Sequence, residues 1–168
     1  MLTQTSELAV KTLVFLGLEG NEIPLPPRQI ADKLKCSASY LAKILGILVR
    51  SGILRSVRGA RGGVLLSRDP KDVTLLDVVE ACQGLLIGNY CSDVAGHEEP
   101  VCAFHTAMKE IHEVTITTLS KWTLADLLAA PVPYYVADEN APLSCKMAFV
   151  GCEKHAPKKN AAKTPRKK

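Results

Sequence analysis

The sequence predicts a mainly α-helical fold, with a winged helix-turn-helix domain, a small β-hairpin wing and a long dimerisation helix. Three observations predict it. Residues 37–52 have the apolar period of an amphipathic helix, and residues 53–66 are typical of two short strands around a glycine-rich turn. Residues 102–122 carry side chains for a helix-helix seam in alternating steps of four and three. We expect the winged helix-turn-helix domain to span residues 1–82.

Two helices are predicted ahead of the amphipathic one. A first helix over residues 5–18 places Ala9 and Leu13 on one side. A second helix follows a proline-rich segment, where proline suits the first helical turn, and it pairs Ile30 with Leu34 at positions i and i+4. The order helix, helix, helix, hairpin is that of a winged helix-turn-helix.

The third helix is predicted to begin after Ser37, a candidate N-cap, and to end before Gly52. Ser39 and Lys43 fall off its buried stripe and can meet a polar partner. The stripe follows the i, i+3, i+4, i+7 pattern and consists of Leu41, Ile44, Leu45 and Leu48.

The wing is predicted from strands over residues 53–58 and 64–66, joined by a turn whose glycines tolerate positive φ. Two arginines, Arg58 and Arg61, lie at this turn. A duplex needs donors for base edges and cations to replace its counterions. The alternative is a merely solvated turn. The candidate DNA-binding residues are Ser37, Ser39, Tyr40, Lys43, Arg58 and Arg61.

Charge is divided along the chain, and the net value of +4 conceals this. Residues 1–73 carry 11 Lys and Arg against 6 Asp and Glu, and residues 74–153 carry 3 against 11. Residues 154–168 carry 7 basic residues and no acidic ones. We therefore expect DNA contacts from the first segment. Residues 131–168 are predicted to be an extension with a disordered basic tail, either only solvated or binding phosphates non-specifically.

Residues 102–130 are predicted to form the dimerisation helix and a short closing helix over residues 123–129. A capping box at Thr74 and Asp77 starts a helix before them. The seam of the long helix could pack on its own domain, but its spacing favours pairing with a second copy. The seam positions are Phe104, Met108, Ile111, Thr115, Thr118 and Trp122.

Six cysteines without an export signal indicate metal or redox chemistry rather than a disulfide framework. Cys102 and His105 share a helix face, because they are separated by three residues. Residues 83–101 form a predicted cysteine-bearing sensor loop that brings Cys91 and His97 as further ligands. The set suits iron or zinc, although the loop cysteines could also bind nothing. Cys36 and Cys82 are expected to be small buried hydrophobes.

Several classes of protein are disfavoured. No apolar run reaches the roughly 18 residues of a membrane span, and no secretory signal opens the chain, so we expect a cytoplasmic protein without membrane contact. A Ser-His-Asp set, a phosphate-cradling glycine loop and a His-Glu-x-x-His run are all missing from the sequence. We therefore expect no enzyme activity.

About residues 1–130 resemble the iron-sulfur cluster regulator family of bacterial winged-helix transcription factors, which includes IscR and NsrR. The resemblance implies a homodimer that reads palindromic promoter DNA and holds a cluster near the dimer helices, and the mixed ligands of this chain favour a cluster of the 2Fe-2S type. The family pattern has three loop cysteines, whereas His97 stands here at the spacing of the middle one. Glu7 matches a carboxylate ligand of some members. The motifs that carry the resemblance are Ser39-Tyr40-Leu41, residues 57–63 and residues 122–127.

The departure from the three-cysteine pattern leaves two interpretations open. One is a repressor or other regulator that senses iron, redox or nitric oxide status through the cluster. The other is a regulator of the same fold without a cluster, which senses thiol oxidation, zinc or a small molecule.

Overall fold

The computed structural model describes residues 2–19, 23–59, 61–86 and 103–129. Within them the chain is mainly helical, with one two-stranded antiparallel sheet between the third and fourth helices. The helices are α1 (Gln4–Glu19), α2 (Pro27–Leu34), α3 (Ala38–Arg50), α4 (Leu75–Gln83), α5 (Ala103–Lys121) and α6 (Leu124–Ala129). The strands are β1 (Leu54–Val57) and β2 (Gly63–Leu66), and a short 3-10 turn covers Pro70–Asp72.

One hydrophobic core joins α1, α2, α3, the wing and α4. The predicted stripe of α3 lies in this core, and so do Ala9, Leu13, Ile30 and Leu34 of the first two helices. Leu124 of α6 belongs to the same core. The two helices α1 and α6 approach so closely that a Cβ on Gly17 would lie 2.7 Å from a methyl carbon of Leu128.

The turn between α2 and α3 places the third helix. Lys35 adopts the left-handed conformation, with φ 51°, and the chain then re-enters a helix after Ser37. Ser37 occupies the predicted N-cap position with extended backbone, but its side chain caps no helix N–H. The prediction of a capping side chain is therefore wrong, because the Ser37 hydroxyl lies 2.9 Å from the Ser39 hydroxyl and bonds to it instead.

The wing is attached directly to the end of α3. The backbone N–H of Ile53 donates to the carbonyl oxygen of Leu48 at 3.0 Å, and β1 follows at once. Leu25 adds a bridge to β2, with its N–H and carbonyl bonded to Val64 at 3.1 and 3.0 Å. A Cβ on Gly63 would overlap the Leu25 backbone, which explains the glycine there. The first strand is shorter than predicted, since Ile53 and residue 58 lie outside it, and the second begins one residue earlier, at Gly63.

The later helices are joined to the core by backbone hydrogen bonds. The predicted capping box is confirmed: Thr74 N–H donates to Asp77 at 2.9 Å, and Asp77 N–H donates to the Thr74 hydroxyl at 3.1 Å. Leu75 N–H donates to the Trp122 carbonyl at 2.8 Å, one residue beyond the end of α5. In the described part of the chain, no helix is both long and apolar enough to cross a membrane.

Candidate nucleic-acid interface

The polar face of α3 is presented to solvent because its apolar face is fully used by the core. Ser39 and Lys43 are exposed, whereas Leu41 and Ile44 of the same helix are completely buried. Hydroxyl and ammonium groups are donors that suit base edges and phosphates. A rigidly packed helix with a free polar face is what groove recognition requires.

Tyr40 is held by a contact outside its own helix. Its hydroxyl lies 2.9 Å from the hydroxyl of Thr5 in the first turn of α1, which is 35 residues earlier in the sequence. The Tyr40 side chain remains 36% exposed. The sequence indicated a polar side chain on this face, but it gave no sign of the partner that fixes its direction.

The wing tip carries the two predicted arginines on a constrained turn. Arg58 and Arg61 are both exposed. Gly59 has φ 115°, and its carbonyl accepts a hydrogen bond from Gly62 N–H at 2.9 Å. A Cβ on Gly62 would overlap the carbonyl oxygen of Val57, so this turn needs glycine. The fold therefore displays two cations at the end of a hairpin that is hydrogen-bonded to α3.

Two exposed polar residues of α2 are further candidates for contact with a phosphate backbone, and the sequence pattern did not single them out. Arg28 and Gln29 are exposed near the start of α2 and line an open hollow together with Asp32 and Lys33. In helix-turn-helix proteins the helix before the recognition helix crosses the phosphate backbone. Arg28 and Gln29 lie off the apolar side of α2, which carries Ile30 and Leu34. That position in the sequence is the signal that could have indicated them.

Most of the predicted metal ligands are outside the described residues. These are Cys91, His97 and Cys102, while His105 lies in α5 and only its backbone is described. Glu7 is half-buried in the first turn of α1, beside a hollow that Lys11 and Tyr40 also line. Among the residues whose placement is described, no three His, Cys, Asp or Glu side chains form a group that could hold a metal ion.

The two described cysteines are half-buried thiols that pack against the core, in keeping with the prediction that they act as small hydrophobes. Burial raises the pKa of the Cys36 thiol above its ordinary value. Burial also raises the pKa of the Cys82 thiol, which a hydrogen bond with Ser6 partly offsets. Because the thiolate is the reactive form, neither thiol is activated in this arrangement.

These features define the chain as a winged helix-turn-helix protein of the class found in transcription regulators. A family model, Rrf2, described as iron-dependent transcriptional regulator, matches residues 2–130. The chain belongs to the Rrf2 family, which confirms the resemblance drawn from the sequence. The family consists of transcription regulators, and the matched region leaves residues 131–168 outside it.

Individual relatives agree with this assignment. The chain is 32% identical over 130 residues to the HTH-type transcriptional regulator NsrR of Geobacillus kaustophilus, across 76% of this chain and 88% of NsrR. It is 41% identical over 101 residues to BadM of Rhodopseudomonas palustris, across 59% of this chain and only 63% of BadM. The solved structure of CymR, the global cysteine regulator of B. subtilis, has a TM-score of 0.64 at 24% identity, across 77% of this chain and 96% of CymR. The CymR match confirms the predicted fold.

Proposed function

We propose that two copies of this chain bind promoter DNA as a homodimer and regulate transcription through an iron-sulfur cluster that reports iron, redox or nitric oxide status. The observation that carries the DNA-binding part is the polar face of α3 next to a cationic wing, with the wing hydrogen-bonded to the end of that helix. Such a protein acts in the cytoplasm, where a bacterial chromosome lies.

In this proposal the two elements have different roles. Ser39, Tyr40 and Lys43 on α3 read base edges and phosphates in the major groove, beside Ser37 at its start. Arg58 and Arg61 of the wing contact the neighbouring groove or phosphates. Support comes from their exposure and from the basic balance of residues 1–73.

The homodimer is supported by the surface of α5. Phe104 and Ile111, two of the predicted seam positions, are 66% and 59% exposed in the single chain, and Val114 is 67% exposed. Exposed apolar side chains along one helix favour burial against another surface. A second copy meets this need with the two-fold symmetry that a palindromic site requires.

The cluster is supported by the chemistry of the donor set. Cysteine thiolates and imidazole are the ligands that iron-sulfur clusters take in proteins, and Cys91, Cys102 and His105 supply both types. His97 or Glu7 would complete the set. A cluster of the 2Fe-2S type supplies one-electron redox chemistry when bound. A neutral imidazole in place of a thiolate generally raises the reduction potential and adds a group that titrates near neutral pH.

A second candidate function is a regulator of the same fold without a cluster, which senses thiol oxidation, zinc or a small molecule. The specific observation that favours it is His97 at the spacing of the middle cysteine of the family pattern. The similarity in fold to CymR, which is named for cysteine regulation, is compatible with it.

The DNA-binding proposal is tested by selecting from a random library of duplexes with the purified full chain. We expect enrichment of a palindrome whose half-sites are about one helical turn apart. We expect binding to this selected duplex at least a thousandfold tighter than binding to a scrambled duplex of the same length. Failure to enrich any sequence would contradict the proposal.

The two sensing mechanisms are separated by the absorption spectrum and the iron and sulfide content of protein purified without oxygen. A cluster predicts absorption between about 320 and 460 nm, with equal iron and sulfide, and its loss in Cys91→Ala and Cys102→Ala. A colourless protein that resists reconstitution but binds the selected duplex would favour the cluster-free regulator.

A further inference from the structure

The first turn of α1 lies between the recognition helix and the end of α4, and it is hydrogen-bonded to both. On one side, the Thr5 hydroxyl bonds to the Tyr40 hydroxyl of α3 at 2.9 Å. On the other side, Gln83 Nε2 donates to the Ser6 hydroxyl at 2.7 Å across 77 residues of sequence. Consecutive residues of one helical turn thus contact two distant elements.

Ser6 is the centre of a small polar network. Its side chain is completely buried, and its hydroxyl lies 3.1 Å from the Thr3 hydroxyl as well as accepting from Gln83. Cys82 precedes Gln83 in α4 and packs against the core. Leaving a buried hydroxyl without a hydrogen-bond partner costs free energy. Moving Gln83 away from Ser6 is therefore unfavourable.

The turn that carries these contacts is itself fixed. Thr3 caps α1, since its hydroxyl accepts from Ser6 N–H at 3.3 Å and its carbonyl accepts from Glu7 N–H at 2.9 Å. These two bonds satisfy N–H groups of the first turn and stabilise its helical conformation. Ser6 and Thr5 are neighbours in this turn, so the contact with Gln83 and the contact with Tyr40 are separated by one peptide bond.

The position of Gln83 in the chain connects this network to the segment that carries the proposed ligands. Gln83 is the last residue of α4, and Gly84 leaves the helix with φ 84°. The chain then continues into the segment that carries the proposed ligands Cys91 and Cys102. The end of α4 is therefore the described helix end that precedes this segment in the chain.

We propose that the hydrogen bonds from Gln83 through Ser6 and Thr5 couple the end of α4 to Tyr40, which makes Thr5 a positioning residue for DNA recognition. This inference rests on the proposed DNA-binding function. It requires only that a signal changes the position of Gln83 at the end of α4, whether or not that signal is a cluster.

The first test is a set of double-mutant cycles on binding to the selected duplex. Thr5→Val removes the hydroxyl at nearly constant shape, and we expect about threefold to tenfold weaker binding, with no further loss in a Tyr40→Phe background. Gln83→Met is expected to weaken binding about twofold to fivefold, and to lose that effect in a Thr5→Val background. Thr5→Ser should restore binding, and Gln4→Met, at an exposed position of the same turn, should change nothing.

The second test uses Cys82 of the unmodified protein as a reporter, with alkylation followed at each cysteine by mass spectrometry. Because coupling between two sites is reciprocal, the selected duplex should change the alkylation rate of Cys82 at least twofold. In the Thr5→Val variant, measured at saturation with the same duplex, the duplex should no longer change the alkylation rate of Cys82. A persistent change in Thr5→Val would show direct shielding and would overturn the inference.

The outcomes separate this inference from the function it rests on. If the wild-type chain enriches no duplex, the proposed function fails. If it binds the selected duplex, but Gln83→Met and Thr5→Val have no effect or act independently of each other, the coupling fails while the regulator remains.

Discussion

Helices α3 and α5 each carry a predicted apolar stripe or seam, but the two faces have very different surroundings. The stripe of α3 is at most 4% exposed, whereas Phe104, Ile111 and Val114 of α5 remain largely exposed. The apolar face of α3 is covered by α1, α2 and α4, and β1 packs against it as well. Among the described helices, α5 packs chiefly on α4. An amphipathic pattern therefore shows that a face needs covering, but not whether the same chain covers it.

The largest expected effect is on the free energy of unfolding, from a substitution in the buried face of α3. Leu48→Ala opens a cavity at a fully buried position of α3, so we expect the free energy of unfolding to fall by about 2–5 kcal/mol in urea titrations. Lys43→Ala, on the exposed face of the same helix, should change it by less than about 0.5 kcal/mol. Equal effects of the two substitutions would contradict the assignment of faces.

The next effect is on the uncovered helix. Ile111→Glu places a charge in the proposed interface twice, once from each copy, and should weaken dimerisation by about a hundredfold or more. Sedimentation velocity at micromolar concentration should then show a monomer. Circular dichroism should show that its helicity is retained. Lys109→Glu is the matched control, since Lys109 forms an exposed ion pair with Glu113 at 4.0 Å. A wild-type monomer, or an Ile111→Glu dimer of unchanged affinity, would refute the proposed seam.

A smaller effect is expected at the wing. Arg58→Ala should weaken binding to the selected duplex by about 1–3 kcal/mol, and a phosphate contact would also reduce the salt slope by about one. Arg68→Ala is the control. Arg68 lies outside the wing tip and is paired with Asp77, with 3.5 Å between its guanidinium nitrogen and the carboxylate oxygen. Unchanged affinity and salt slope in Arg58→Ala, measured by titration at several salt concentrations, would exclude Arg58 from the contact.

The smallest effect concerns the attachment of α6 and depends on pH. Hydrogen bonds from the Thr123 hydroxyl at 2.7 Å and from its N–H at 2.8 Å hold the pKa of Asp126 below its ordinary value of 3.8. A lowered pKa stabilises the fold above pH 3.8, and this contribution is lost as the pH falls through the folded pKa. The stability difference between wild type and Asp126→Asn should therefore vanish in acid. A pH-independent difference in thermal unfolding would contradict this.

The fold was predictable where its determinants are local in sequence. The stripe of α3, the capping box at Thr74 and the glycine turn of the wing each depend on residues a few positions apart. The helix boundaries consequently agree with the prediction to within one or two residues, as at α1 and α5.

Contacts between distant residues were not predictable in the same way. Nothing in the pattern around Tyr40 indicates that Thr5 is its partner, and Ser6 gives no sign of Gln83. The bridge between Leu25 and β2, which explains Gly63, likewise exists only in the folded chain. Ser37 was a sound N-cap candidate by type, but a neighbouring hydroxyl competes successfully for its side chain.

The most direct test of the account is the stoichiometry of the complex with the selected palindromic duplex, measured by sedimentation equilibrium. If α3 is covered within its own chain and α5 is covered only by a second copy, two chains should bind each duplex. The Ile111→Glu variant should then bind the duplex far more weakly. One chain per duplex at saturation, with the affinity unchanged by Ile111→Glu, would contradict the claim that α5 is covered by a second copy.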